Sequence, residues 1–328
     1  MASHSAAIKL EILKVLDGLG ESAGAARIAQ HLSAAGADLQ PRTIRYYLLQ
    51  MDRDGWTRRI SRRRGRELTA RGREELARGN VAEKVGFIAA KIDALGYRMT
   101  FRNGSASGTI ITNIATIEGG SLERALEYMY PVFSQRLSMG TRLAIAKEGE
   151  KLAGCRVPRG QVMLGPVCSV TVNGILLAER IPVVSRFGGL LEMKDWKPLR
   201  FVELIEYTGT TIDPLEFFIS ARMTRVRDSA RTGVGIVGAS FREIPAIAMD
   251  DVQRIRKDMT ARGLGGIVAI GKPNQPLLDV PVSEGRCGMI VLGGLNPIAA
   301  LHEARLPVRI QSLAGLEDIR SFKPFQEI

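Results

Sequence analysis

Apolar positions recur at helical spacing through the first eighty residues. Ile8, Ile12, Val15, Leu16 and Leu19 form one stripe, which Gly18 and Gly20 bring to an end. A second short helix, around Gly24 to Ala35, turns Ile28 and Leu32 inward and stops at Gly36. A third starts at Pro41, where the missing amide hydrogen costs nothing, and ends at Gly55. Its inner face is Ile44, Tyr47, Leu48 and Met51; its outer face is Arg42, Arg45, Tyr46 and Arg53, with Thr43 beside them. Two short strands, Trp56–Ile60 and Glu67–Thr69, follow on either side of a basic turn, and then a helix containing Leu76.

Past a linker at Gly79 and Asn80, a helix carries Val85, Ile88, Ile92 and Leu95 on one face. Further on, strands fit Val234–Phe241, Gly266–Ile270, Arg286–Leu292 and Val308–Ser312, with helices at Asp250–Arg262 and Pro297–Ala304. That order is β-α-β-β-α-β, the ferredoxin-like arrangement. The earlier part fits a looser version: a strand at Gly108–Ile117, a helix at Leu122–Leu137 and a strand at Arg142–Lys147. The chain also resembles itself. IPVVSRFGG (Ile181–Gly189) matches VPVSEGRCG (Val280–Gly288), and TGTTIDPLEFF (Thr208–Phe218) matches VLGGLNPIAAL (Val291–Leu301). The expected fold is α+β: a winged helix-turn-helix over residues 1–80, then a duplicated two-layer α/β sandwich over 82–328. Its halves cover about 82–225 and 230–328.

The chain has 328 residues and a formal net charge of +12, with 45% apolar and 24% charged residues, an ordinary globular composition. Three cysteines with no C-x-x-C pair argue against a disulfide scaffold or structural zinc and for a cytoplasmic protein. The first residues lack the order of a signal peptide, and the uncharged stretch Gln161–Ala178 is interrupted by Gly165, Pro166 and Asn173, so no membrane span is expected. The charge is concentrated. Arg58, Arg59, Arg62, Arg63, Arg64 and Arg66 fall within nine residues that contain no Asp or Glu. Arginine in a wing beside a helix with Arg and Tyr on its free face suits duplex DNA, with the wing on phosphate and the helix in the major groove.

Enzyme motifs fail on context. GVGIVG (Gly233–Gly238) has dinucleotide-loop spacing, but a charged approach precedes it and Pro245 follows where a helix is required. GGIVAIGKP places Pro273 where a phosphate loop needs Ser or Thr. His4, His31 and His302 do not cluster, and Cys168 has no histidine near it in sequence, so it reads as a small buried thiol. Catalytic residues, metals and cofactors are not expected. Polar groups among glycines stand out instead: Arg186 beside Gly188; Thr210, Thr211 and Asp213; Lys272 and Asn274; and Arg286, Gly293, Gly294 and Asn296. Asp213-Pro214 and Asn296-Pro297 each look like a helix cap followed by a first-turn proline. Two readings stand side by side. These residues make caps and turns, or they line an anion pocket with Arg186, Arg286 or Lys272.

PRTIRYYLLQMDRDGW followed by RELTARGREEL resembles the winged helix-turn-helix domains of prokaryotic transcription regulators. Beyond it, VCSVTVNGILL, GTTIDPLEFF, ASFREIPA and GKPNQPLLDVPVSEGRCGMIVLGGLNP are similar to the regulatory domain of the archaeal global nitrogen repressor family, NrpR. The resemblance implies a homodimeric repressor that binds operator DNA and is released by a small effector, 2-oxoglutarate, in nitrogen-responsive regulation. Cys168 and Ser169, within VCSVTVNGILL, join the effector set, and the chemistry of a dicarboxylate, apart from the resemblance, suits Arg186 and Arg286 each clamping one carboxylate. Some family members carry two regulatory domains, whereas this chain has room for one. Two rivals remain at this level: an RNA-binding regulator, and a metabolic enzyme using the winged helix as a docking module.

Overall fold

The computed structural model describes residues 2–34, 39–61, 63–78, 87–102, 104 and 107–328. The chain divides into two compact units, Met1–Lys84 and Val85–Ile328. In the first, α1 (Ala2–Leu19), α2 (Ala25–Ala34) and α3 (Pro41–Arg53) bury Ile12, Leu16, Ile28, Leu32, Ile44, Leu48 and Met51 in one core. Strands β1 (Thr57–Ser61) and β2 (Gly65–Leu68) pair antiparallel. Ala23 adds a third strand one residue long, bonding the Arg66 backbone in both directions at 2.9 and 3.0 Å. That approach requires Gly65: at φ +79°, a Cβ there would lie 2.1 Å from the Ala23 carbonyl oxygen. Thr69 starts α4 (Ala70–Arg78), its Oγ1 accepting from the Gly72 amide at 3.0 Å and donating to the Gly55 carbonyl at 2.6 Å. This is the winged helix read from the sequence.

The second unit opens with α5 (Phe87–Arg98) and continues as a repeat. Its first copy runs β3 (Thr109–Glu118), α6 (Leu122–Ser134), β4 (Arg142–Lys147), the small hairpin β5 (Lys151–Leu152) and β6 (Cys155–Arg156), β7 (Gln161–Pro166), α7 (Thr171–Ala178), β8 (Val184–Lys194) and β9 (Lys197–Glu206). After α8 (Pro214–Ser220) and α9 (Val226–Thr232), the second copy runs β10 (Gly235–Pro245), α10 (Met249–Ala261), β11 (Ile267–Ile270), β12 (Arg286–Leu292), α11 (Asn296–Glu303), β13 (Arg309–Asp318) and β14 (Phe322–Pro324).

The two antiparallel sheets have the orders β13-β3-β7-β4-β14 and β11-β12-β10-β8-β9. The small hairpin β5–β6 aside, each contains the first three strands of one copy and the last two of the other, β9 and β14 being additions at the edges. Both therefore show the ferredoxin-like order 4-1-3-2 with strand four exchanged. Two core clusters draw on both sheets, one with α5, α7 and α10, the other with α6, α8, α9 and α11.

The repeat is real, but its register differs from the one read in the sequence. Structurally equivalent segments are LAIAK (Leu143–Lys147) with VAIGK (Val268–Lys272), LLAERIPV (Leu176–Val183) with LHEARLPV (Leu301–Val308), and WKPL (Trp196–Leu199) with FKPF (Phe322–Phe325). The sequence pairing set β8 against β12 and α8 against α11. It followed the glycines and prolines of turns, which recur wherever a strand gives way to a helix.

Candidate functional site

On α3 the apolar face is buried and the other face is free: Arg42, Arg45 and Tyr46 are exposed, and Thr43 is half-buried. Leu49, not anticipated, shares this face at 53% exposure. In the wing, Arg58, Arg59, Arg63 and Arg64 are exposed, and Arg58 lies 2.6 Å from Glu67 across the hairpin. Arg62 falls outside the described residues. Arg66 is corrected from a DNA contact to a brace. Only 12% exposed, its Nε bonds Asp52 on α3 at 2.7 Å, while the other oxygen of Asp52 accepts from Thr57 at 2.6 Å. A single carboxylate thus fixes the wing against the helix. Lys9 repeats the device from α1, reaching Asp54 at 3.0 Å and lying 5.3 Å from the Trp56 ring centre.

In the second unit the polar residues picked from the sequence separate into three kinds. The first kind is structural. Asn296 does not cap its helix. It is 1% exposed and holds β10, accepting from the Gly238 amide at 2.9 Å and donating to the carbonyls of Gly238 at 3.0 Å and Leu137 at 2.7 Å. Asn274, at φ +57°, closes a turn by accepting from the Gly285 amide at 2.6 Å. Gly293 and Gly294 are packing glycines; a Cβ on Gly294 would lie 2.1 Å from the Val167 carbonyl oxygen. Lys272 is exposed on the surface, and Thr210 bonds within its own turn, to Ile212.

The second kind gathers around a resident carboxylate. Glu243, 1% exposed, accepts a short hydrogen bond from Arg186, while Arg286 approaches its other oxygen at 4.0 Å. Of the two arginines picked to hold a ligand's carboxylates, Arg186 is therefore held by one from the protein itself, while Arg286 only lies near it, its buried Nη1 without a partner among the described residues.

The third kind surrounds Arg242, a residue that no motif in the sequence marks. Arg242 is 1% exposed, donates to the Ser169 carbonyl at 2.9 Å, and its Nε has no hydrogen-bond partner among the described residues. Burial depresses its pKa, an effect eased by Tyr207 and Cys168 nearby. Burial also pushes the Cys168 thiol up to about 12, so it stays neutral, and raises Tyr207. Asn173 donates to Ser185 at 3.0 Å, and its own Oδ1 has no partner among the described residues; Ser185 is the cross-strand neighbour of Arg242. Asp213 caps α8 as read, accepting from the amides of Leu215 and Glu216 at 3.0 Å each. Burial raises its carboxyl to about 6, against those two bonds and against the charge of Lys91 on α5. Thr211 is half-buried in the turn before it, and Gly188 makes room for the Tyr207 hydroxyl and Pro214. A buried guanidinium with an unfilled donor, beside neutral hydroxyl and thiol groups, is chemistry for a small anion, while the unfilled Asn173 oxygen calls for a donor.

Comparison with known proteins follows the same division of the chain. Residues 85–324 match the model of the NrpR regulatory domains, and residues 10–76 match that of the ribonuclease R winged-helix domain. The chain is 31% identical over 314 residues to the global nitrogen regulator NrpRI of Methanosarcina mazei, covering 96% of each. It is 29% identical to the global nitrogen regulator NrpR of Methanococcus maripaludis, spanning 96% of this chain and 55% of that one. Against the protein of that name from Methanocaldococcus jannaschii it is 27% identical, over 70% of this chain and 38% of the relative. A crystal structure of a nitrogen repressor-like protein from Methanococcus jannaschii superposes with a TM-score of 0.62 at 25% identity, covering 72% of this chain and 97% of that one.

Proposed function

The chain belongs to the NrpR family of nitrogen regulators, and from that premise we propose that it is a homodimeric repressor of palindromic operator DNA, released by 2-oxoglutarate. It is a regulator and not an enzyme, as its relatives are. Two α3 helices, one from each protomer, enter successive major grooves with Arg42, Arg45 and Tyr46 toward the bases, and Arg58, Arg59, Arg63 and Arg64 lie on phosphate. The observation that carries the effector half is the buried, under-partnered guanidinium of Arg242. One carboxylate of the effector pairs with it. The other competes with Glu243 for Arg186 and Arg286. For the switch to work, the effector must bind the DNA-released state better, and tenfold weaker DNA affinity needs about 1.4 kcal/mol of coupling.

The test is fluorescence anisotropy of the full chain on DNA from upstream of its own gene at fixed salt. Scrambled duplex and single-stranded RNA serve as controls, and 2-oxoglutarate is titrated in. Specific duplex binding that falls as the effector rises supports the whole reading. Binding indifferent to 2-oxoglutarate removes the effector and keeps the regulator. A preference for the RNA replaces the reading with that of an RNA-binding regulator.

A further inference from the structure

A second site lies away from the Arg242 cluster. A cleft of about 380 Å³ opens between the β8–β9 turn and the loops that follow α6 and α10. Its volume falls in the range of small-ligand pockets, about 300–1,000 Å³. Among the described residues, every charged one lining it is cationic (Arg136, Lys197 and Arg256) and no carboxylate lines it. Trp196 forms one wall, packed in part against Gly233 and 49% exposed.

The backbone here is bent against its preference. The two-residue turn of the β8–β9 hairpin is Asp195-Trp196, at φ +51° and +58°, where a turn of that kind normally takes Asn-Gly or Asp-Gly. Arg136 ends α6 at φ +54°, while the equivalent residue after α10 is Gly263, at φ +74°. Arg180, Arg222 and Arg305 end α7, α8 and α11 in the same conformation as Arg136, so the departure particular to this cleft is the Asp195-Trp196 turn, and such strain persists where a side chain is wanted in a set place.

The repeat supplies an internal control. In the other copy the equivalent space is walled by apolar rings: Phe133 stacks on Phe325 with centroids 4.5 Å apart, and Tyr130 adjoins them. Helices α6 and α10 are both thirteen residues long, so Met129 corresponds to Arg256 and Phe133 to Thr260. WKPL against FKPF sets Leu199 opposite Phe325 and the half-exposed Trp196 opposite Phe322, which is 2% exposed. One copy narrows the space to a cleft of about 210 Å³ walled by the aromatic stack; the other widens it to about 380 Å³ and lines it with cations and an indole.

We propose that this cleft binds a small nucleotide, its phosphates on Arg136, Lys197 and Arg256 and its base against Trp196. Guanidinium and ammonium groups recognise phosphate, an indole face stacks on a base, and Gly265, with no side chain beside its Cβ position, lets a ligand approach the backbone. The site is independent of the 2-oxoglutarate reading.

The chain has two tryptophans, so a Trp56→Phe background leaves Trp196 as the sole indole fluorophore. Titration with adenosine diphosphate at constant ionic strength should quench Trp196 saturably. Lys197→Ala and Arg256→Gln should each weaken that binding at least tenfold, and inorganic pyrophosphate should bind at least tenfold more weakly than the nucleotide. Arg136→Gly guards against simple misfolding: it relieves the backbone and should hold or raise the melting temperature while weakening the nucleotide. Quenching that does not saturate, saturation unmoved by the charge variants, or pyrophosphate binding as tightly as the nucleotide overturns the proposal. So does quenching by a single-stranded oligonucleotide in place of the free nucleotide, which assigns the cleft to nucleic acid. Release of DNA by 2-oxoglutarate should be unchanged in Lys197→Ala.

Discussion

Arg242 and Asp213 show what burial does to an ordinary charged residue. Arg242→Met keeps the length of the side chain and removes the guanidinium. If the charge serves only the fold, nothing is lost, because replacing an under-paired buried ion with an apolar chain is neutral or stabilising. The expected outcome is a protein at least as thermally stable, with DNA affinity within about twofold of the parent and no response to 2-oxoglutarate, checked by anisotropy. Asp213 gives a pH dependence. Its carboxyl is raised to about 6 in the folded chain, above the ordinary 3.8. Its contribution is fully present below about pH 4 and is lost as pH rises through 6, because the buried group must then ionise. Asp213→Asn keeps an accepting cap and cannot ionise. Between pH 4 and 7 its melting temperature should fall less than the parent's. At pH 7 it should be more stable by on the order of 1–2 kcal/mol, allowing for the partial exposure of the side chain. A steeper fall would sink this reading.

At the scale of elements, the wing depends on one glycine and divides its labour among arginines. Gly65→Ala puts a methyl group into the Ala23 backbone at a left-handed position. It should cost about 2–3 kcal/mol in the first unit's urea transition and weaken DNA binding with it. Arg45→Ala, on the free face of α3, should relax base preference. Arg63→Ala, on the wing, should weaken all sequences alike and reduce the slope of log affinity against log salt by about 1. Titrations on specific and scrambled duplex at several salt concentrations separate the two, and equal loss of preference from both variants would remove the distinction. The helices and strands with one buried face were legible, because period and burial coincide: α3, β4, β12 and α10 lie within a residue or two of where the pattern set them. Helix α7 was not. Thr171 to Leu176 are all buried, so no polar face marks the helical period, and its Val, Thr and Ile lean toward strand.

At the scale of the molecule, exchange of the fourth strand makes each sheet depend on both copies. Residues 85–222 lack β13 and β14, and residues 223–328 lack β8 and β9. Each fragment should be unfolded or aggregated alone, and the two should recover native circular dichroism and a cooperative melt when refolded together. A first fragment that folds by itself would show that strand four is dispensable. Cooperativity of this kind also lets Asn296 and Gly238 matter far from any ligand, since they join α11 to β10 inside one core.

The sequence alone determined the winged helix, the ferredoxin-like order and the basic, arginine-rich face. Each rests on local physics: periodicity, turn residues and charge act within a few positions of one another. It also marked Asp213 as a cap and Arg186 and Arg286 as arginines with a task. Only the tertiary structure decided what the task was. Arg186 and Arg286 meet Glu243, Arg66 meets Asp52, and Asn296 grips β10 because strands distant in sequence are neighbours in the sheets. Arg242 lay hidden for the same reason. An arginine in a strand reads as a solvated position, and its burial follows from the β7–α7 loop folding over β10, a contact set by chain topology rather than by any residue near it.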